Sequence, residues 1–295
     1  MRCLPLLASL AFTTAFAHAQ TPLQQQIATL AKEAKGTVSV ACSLPGTDLN
    51  CDLNAHGHQP MQSAFKLPLG VAVLHAVELG KLSLDEQVRF HPSDIYKGTF
   101  SPLQDMHPAA NVDVPLHELL ELSVGRSDNT ATDILLRLMG GTEPVQRYLN
   151  TLGLQGLQIQ DSERSLHDDE RRQYRNFGEP AAFVKLLRML ADRSPLNAEH
   201  TKYLLGIMMA SPSAPKRLKG LLPAGTVVAH KTGTSGYDNG MAAATNDVAL
   251  ITLPDGRRLA IAVLVTDAHA DEAAVEHTIA AIARACYDSA LSTKP

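Results

Sequence analysis

The placing of strand-like and helix-like patterns along the chain constrains its fold more than any other feature. β-rich runs lie at both ends, and from Met61 to about Tyr203 the apolar spacing is mainly helical. Near the start, Thr37–Ala41 and Leu49–Asn54 read as two strands of a hairpin around Pro45-Gly46-Thr47-Asp48, a strong turn signal. Beyond Pro223, the runs Thr226–Lys231, Ala242–Leu253 and Leu259–Thr266 read as strands, the last two parted by Pro254-Asp255-Gly256. Between these ends, Phe65–Leu79 has helical spacing and stops at Gly80, followed by helices over Leu116–Val124, Thr130–Met139, Pro144–Leu152 and Glu179–Ala191. Asp271–Leu291 closes the chain as a helix. Strands at opposite ends can share a sheet only if that sheet is assembled across the whole chain. The expected fold class is therefore α/β (an α+β sandwich), with an antiparallel sheet built from both chain ends plus an all-helical lobe. The α/β lobe would take about 20–58 and 212–295, the helical lobe about 59–211, and the cleft between them is the natural site.

Composition narrows the function. The 295 residues are 45% hydrophobic and 19% charged, enough for a substantial core. A net charge of −4, no Trp and only 4% aromatic residues argue against nucleic acid or an anionic membrane surface as partner. Arg2, the apolar stretch Leu4–Ala17 and Ala17-His18-Ala19 form a signal-peptide pattern over 1–19, so the mature chain, 20–295, is expected to be exported without a membrane anchor. Of the cysteines that remain, Cys42 and Cys51 would face each other across the hairpin. A bridge and two unpaired thiols both stay open. Cys286 sits in an Ala-rich helical pattern and reads as an inert core thiol. The histidines are scattered, and His56-Gly57-His58 alone is no ligand set, so no metal or cofactor is expected.

Three short motifs carry chemistry. In Ser63-Ala64-Phe65-Lys66 the helical spacing puts an amine within reach of a hydroxyl, at a helix start that favours developing negative charge. Ser127-Asp128-Asn129 falls between two helices, free to reach into a cleft, yet it would also serve as the N-cap of the next helix. Lys231-Thr232-Gly233 ends a strand and continues as Thr234-Ser235-Gly236. Each alone is commonplace. Their order and distances in a signal-bearing chain are not.

Together these motifs resemble the signatures of the penicillin-recognising serine enzymes, and most closely the class A β-lactamases, over nearly the whole mature chain. Met61-Gln62-Ser63, Arg217-Leu218-Lys219-Gly220-Leu221-Leu222-Pro223, His230–Gly236 and Ala243-Ala244-Thr245-Asn246-Asp247 are similar to the PER- and VEB-type extended-spectrum branch. The resemblance implies the serine β-lactamase/penicillin-binding transpeptidase-like fold and hydrolysis of penicillins and cephalosporins, extended-spectrum ones included, with resistance as the outcome. Ser63 would be the nucleophile, its proton passing to Lys66 directly or through a water to Glu163, with Lys231 disfavouring the ammonium form of Lys66. Ser127 would relay a proton to the leaving nitrogen. The backbone N–H groups of Ser63 and Thr234 would form the oxyanion hole, worth on the order of 3 kcal/mol per donor. Asn129 would bind the substrate amide. Lys231, Thr232, Thr234 and Arg217 would hold the substrate carboxylate, with Ser235 and His167 also binding substrate, and Phe100 is either the aromatic wall of the mouth or a core residue.

Deacylation needs a carboxylate that activates water. Glu163-Arg164-Ser165-Leu166-His167 matches the family's loop motif except at its last position, where His167 replaces Asn, as in the PER-type branch. The ion pair that often braces this loop would need an Arg at 161 and an Asp at 176, where this chain has Asp161 and Asn176, so the loop must be held otherwise. Resemblance also implies a periplasmic monomer acting on small β-lactams. A penicillin-binding D,D-peptidase, or a β-lactam sensor that acylates without turnover, would share the first three motifs.

Overall fold

In a computed structural model of the chain, residues 20–293 are described. The expected signal peptide lies outside them. From the N-terminus run α1 (Pro22–Leu30), β1 (Thr37–Ser43), β2 (Gln59–Pro60), α2 (Lys66–Glu78), β3 (Gln87–Phe90), α3 (Pro102–Met106), β4 (Val112–Pro115), α4 (Leu116–Leu120) and α5 (Asn129–Leu138). Then follow α6 (Thr142–Thr151), β5 (Leu157–Gln158), α7 (Glu163–Asp168), β6 (Phe177–Gly178), α8 (Pro180–Asp192), α9 (Ala198–Ala210), β7 (Val228–Thr234), β8 (Ala242–Thr252), β9 (Arg258–Ala268) and α10 (Glu272–Ser292).

The main sheet is antiparallel in the order β1-β9-β8-β7, so the first strand zips onto the last, with Thr37 opposite Thr266 and Ser43 opposite Ala260. β8 and β9 are buried along almost their whole length. β9 reads as an apolar run from Leu259 to Val265 because both faces of the sheet are covered, whereas β8 buries Asn246 and Asp247 at its middle, where both are hydrogen-bonded. On one face Ile27 of α1 and Val275, Ile279 and Ile282 of α10 pack against Val40, Ile251 and Ile261. On the other, Phe183 and Leu187 of α8 lie in one core with Leu250, Ala260 and Leu264 and with Phe65, Leu69 and Leu120 of the helical middle. The helices and the sheet therefore share a core across the cleft.

The structure departs from the sequence expectations in three places. The hairpin's second arm is not a strand. Val40 and Leu53 exchange both backbone hydrogen bonds, at 2.7 and 3.0 Å, but the rest of the β1 ladder goes to β9. Leu49–Asn54 holds three polar residues and a positive φ of 47° at Asn54, whereas β9 offers an unbroken apolar run. Second, Lys231-Thr232-Gly233 lies inside β7, which extends to Thr234. Third, Ser63 sits in a separate one-turn 3₁₀ helix, Gln62–Phe65, which precedes α2. The single remaining bridge still places Cys42 opposite Cys51, and the two form a disulfide with Cα atoms 5.8 Å apart. The free Cys286 is fully buried beside it, and burial pushes its thiol up to about 12. No helix among the described residues is long and apolar enough to cross a membrane.

Candidate active site

The Ser63 turn is fixed by what surrounds it. α2 is buried on all sides, with Leu67, Leu69, Val71, Val73 and Leu74 fully enclosed, and Pro68 is tolerated because it falls in the first turn. In a 3₁₀ turn residues three apart eclipse, which puts Ser63 and Lys66 on one face. β7 passes so close to this turn that a Cβ at Gly233 would lie 2.2 Å from the Met61 carbonyl oxygen. Only glycine fits. Asn246 of β8 fastens the same turn, its Nδ2 donating to Pro60 O at 2.8 Å and Met61 O at 3.1 Å.

Ser127 follows a π-helical turn, Glu121–Gly125, and adopts a left-handed φ of 62°, a strained conformation of the kind that gathers at functional sites. The Ser-Asp-Asn motif divides its roles. Asp128 is buried and caps α5 by accepting from Ala131 N at 2.8 Å, and it also accepts from Ser101 Oγ and Leu103 N. Ser127 and Asn129 instead line the cleft.

Two fully buried amines meet there. Lys66 Nζ donates to Ser127 O at 2.7 Å and Asn129 Oδ1 at 2.5 Å, and lies 2.9 Å from Glu163 Oε1. No hydrogen bond joins Lys66 to the Ser63 hydroxyl among the described residues, contrary to the expectation from spacing, because these three acceptors take the amine. Lys231 Nζ donates to Ser127 Oγ at 3.0 Å and Thr232 O at 2.8 Å. Burial, and then the nearby Lys66 charge, hold the Lys231 ammonium well below its ordinary value.

Glu163 opens α7 and is 6% exposed. Its loop is held by groups the sequence reading missed. The Asp133 carboxylate accepts from Glu163 N at 2.8 Å and Arg164 N at 2.9 Å, and burial followed by the Glu163 charge pushes its pKa up to about 7. Asp133 stands one helical turn beyond Asn129 on α5, and that i,i+4 spacing was the available signal. In place of the family's brace, Asp161 accepts from Arg172 Nη1 at 2.7 Å, with Arg175 Nε 3.1 Å from its other oxygen. The Asn176 amide bonds the backbone of Gln160 and Asp161. There is no cis peptide among the described residues.

Two adjoining cavities, of about 410 and 320 Å³, share Phe100, Asn129 and Thr234. The first contains Ser63, Ser127, Thr232 and Arg217, the second Glu163, His167 and Ser235. A larger groove of about 920 Å³ along α9 holds none of the motif side chains. Phe100 is 62% exposed, a wall residue and not part of the core. His167 packs beside Tyr96, ring centroids 5.4 Å apart. The Ser235 hydroxyl is engaged at the strand end, accepting from Ala244 N at 3.0 Å and donating to Gly236 O. Arg217 is only 2% exposed, its Nη1 donating to Gly233 O and Asn246 O, both at 3.1 Å.

A profile of the beta-lactamase enzyme family matches residues 22–290. The chain belongs to that family. This β-lactamase is similar to the extended-spectrum beta-lactamase PER-1 of Pseudomonas aeruginosa, 37% identical over 94% of this chain and 90% of the relative. It is 36% identical to beta-lactamase VEB-1 of the same organism, over 97% of both chains. Among solved structures, the TLA-3 extended-spectrum beta-lactamase superposes with a TM-score of 0.88 at 38% identity, covering 90% of this chain and 98% of that one. The resemblance read from the motifs, to class A enzymes and their PER- and VEB-type branch, is borne out.

Proposed function

We propose that this β-lactamase opens penicillins and cephalosporins, bulky extended-spectrum cephalosporins included, through an ester on Ser63 that a Glu163-activated water hydrolyses. The observation that carries the reading is the contact of the Lys66 amine with the Glu163 carboxylate, inside one cluster with Ser127 and Asn129. As the Ser63 hydroxyl attacks the lactam carbonyl, its proton passes to Lys66 directly or through a bridging water to Glu163, and a burst preserved in Glu163→Gln assigns that first transfer to Lys66. The amides of Ser63 and Thr234 receive the oxyanion. Ser127, joined to Lys231, returns a proton to the departing nitrogen. Asn129 takes the side-chain amide, and Thr232, Thr234 and Arg217 take the carboxylate, with Phe100, Ser235 and His167 shaping the walls. Export to the periplasm, where a monomer would protect the cell wall and confer resistance, fits the N-terminal pattern.

The test mixes stoichiometric enzyme with a chromogenic cephalosporin. Sustained turnover is expected from the wild type, and from Glu163→Gln a single-equivalent burst with steady state reduced by at least about 10³-fold. A wild type that stalls after one equivalent would be a D,D-peptidase or sensor. Wild-type turnover in Glu163→Gln would remove Glu163 from deacylation.

A further inference from the structure

The cavity that holds Ser63 has an unexpected charge balance for a site that must take an anionic substrate. Its walls carry one cation, Arg217, and two carboxylates, Glu272 and Glu276. Arg217 is already compensated, since its Nε lies 3.3 Å from Glu276 Oε1. Its Nη1 is held by two carbonyls, while Nη2 makes no hydrogen bond among the described residues. One guanidinium nitrogen of this nearly buried side chain is thus left for a ligand's carboxylate. Glu272 is different. It is the first residue of α10, is exposed, and has no ion pair among the described residues. Its charge extends into the region: after burial, Glu272 and Asp271 are the next influences that hold the Tyr237 phenol above its ordinary value. The exposed ring of Phe100 lines the same cavity.

We infer that this enzyme selects β-lactams bearing a positive group beside the carboxylate, namely cephalosporins with a pyridinium or quaternary ammonium at C3, and that Glu272 is the residue that determines this preference. The inference rests on the carboxylate placement proposed above. In a cephalosporin the carboxylate-bearing carbon C4 and C3 are bonded neighbours, so a carboxylate held at Arg217 and Thr232 keeps the C3 substituent within the cavity that Glu272 and Phe100 both line. A cation there meets an unpaired carboxylate and an aromatic face, both of which attract it. A second anion at C3 would meet Glu272 with no nearby compensation. Arg217 provides for the carboxylate, and Glu272 provides for what is next to it.

The experiment compares kcat/KM for two cephalosporins with one acyl side chain, one with a pyridiniummethyl group at C3 and one with acetoxymethyl. For an exposed, screened charge, Glu272→Gln is expected to lower the cationic-to-neutral ratio about three- to fivefold, mainly through KM. Raising salt on the wild type should erode the ratio in the same direction, and Glu272→Lys should push it further down than Gln. An unchanged ratio in both variants, with both substrates still turned over, would overturn the inference. Failure of the wild type to turn over either substrate would overturn the hydrolase reading beneath it, and the inference too.

Discussion

The Ser63 turn is held by a close main-chain approach of β7 and one neutral side-chain amide, whereas the loop that carries Glu163 is held chiefly by side-chain carboxylates. At the first region, Gly233 lets two backbones touch and Asn246 ties down consecutive carbonyls. At the second, Asp133 grips two amides, Asp161 faces two arginines, and Asn176 bonds the Gln160 and Asp161 backbone. A main-chain fit tolerates little, but it does not titrate. A carboxylate brace is adjustable and depends on pH. The difference assigns the two halves of the proposed reaction to supports of unlike physical character, so that ester formation and ester hydrolysis should fail separately.

The largest effect is expected at the first support. Gly233→Ala must move β7 off the Met61 carbonyl, and a displacement of that order should slow acylation at least about 100-fold. Stopped-flow measurement of the burst rate checks this; a burst as fast as wild type would show that the close approach is not needed. Asp133→Ala should do the reverse. It leaves the amides of Glu163 and Arg164 without their acceptor, at about 1–3 kcal/mol for each unsatisfied group. We expect steady-state turnover to fall about 10- to 100-fold while the burst rate changes by less than about threefold. Equal losses in both phases would erase the distinction between the two regions.

The smallest effect concerns pH. Asp133 holds its proton more tightly in the folded chain, up to about 7, than in the unfolded one, near 3.8. Its contribution to stability is therefore fully present below about pH 4 and is lost as pH rises to about 7. Asp133→Asn cannot titrate, so from pH 5 to pH 8 the wild type should lose about 1–3 kcal/mol more than the variant in urea unfolding. Parallel profiles would mean that Asp133 is not strained by its burial.

What the sequence made legible follows the same line. Ser63, Lys66, Ser127, Asn129 and Lys231 were readable because their chemistry lies in three- or four-residue spacings that local backbone geometry turns into shared faces. The sheet from both ends was readable because β9 is a long apolar run and Pro254-Asp255-Gly256 marks the turn that joins β8 to it. Asp133 offered only its four-residue spacing from Asn129, and Asn246, Glu272 and Glu276 were not readable, for each is a single polar residue whose partner arrives from a distant segment. The false second arm of the hairpin has the same origin. Its turn chemistry was sound, but β9, far along the chain, offered β1 the better partner.

The pairing of β1 with β9 has a consequence for when the protein becomes reactive. The wall beside Ser63 is a strand, β7, whose place depends on β8, whose place depends on β9, which is itself zipped to β1. Non-local closure of this kind comes late in folding. A partly made chain therefore has a hydroxyl, an amine and a carboxylate but no arrangement of them, and the nucleophile stays harmless to its surroundings until the two ends of the molecule have met.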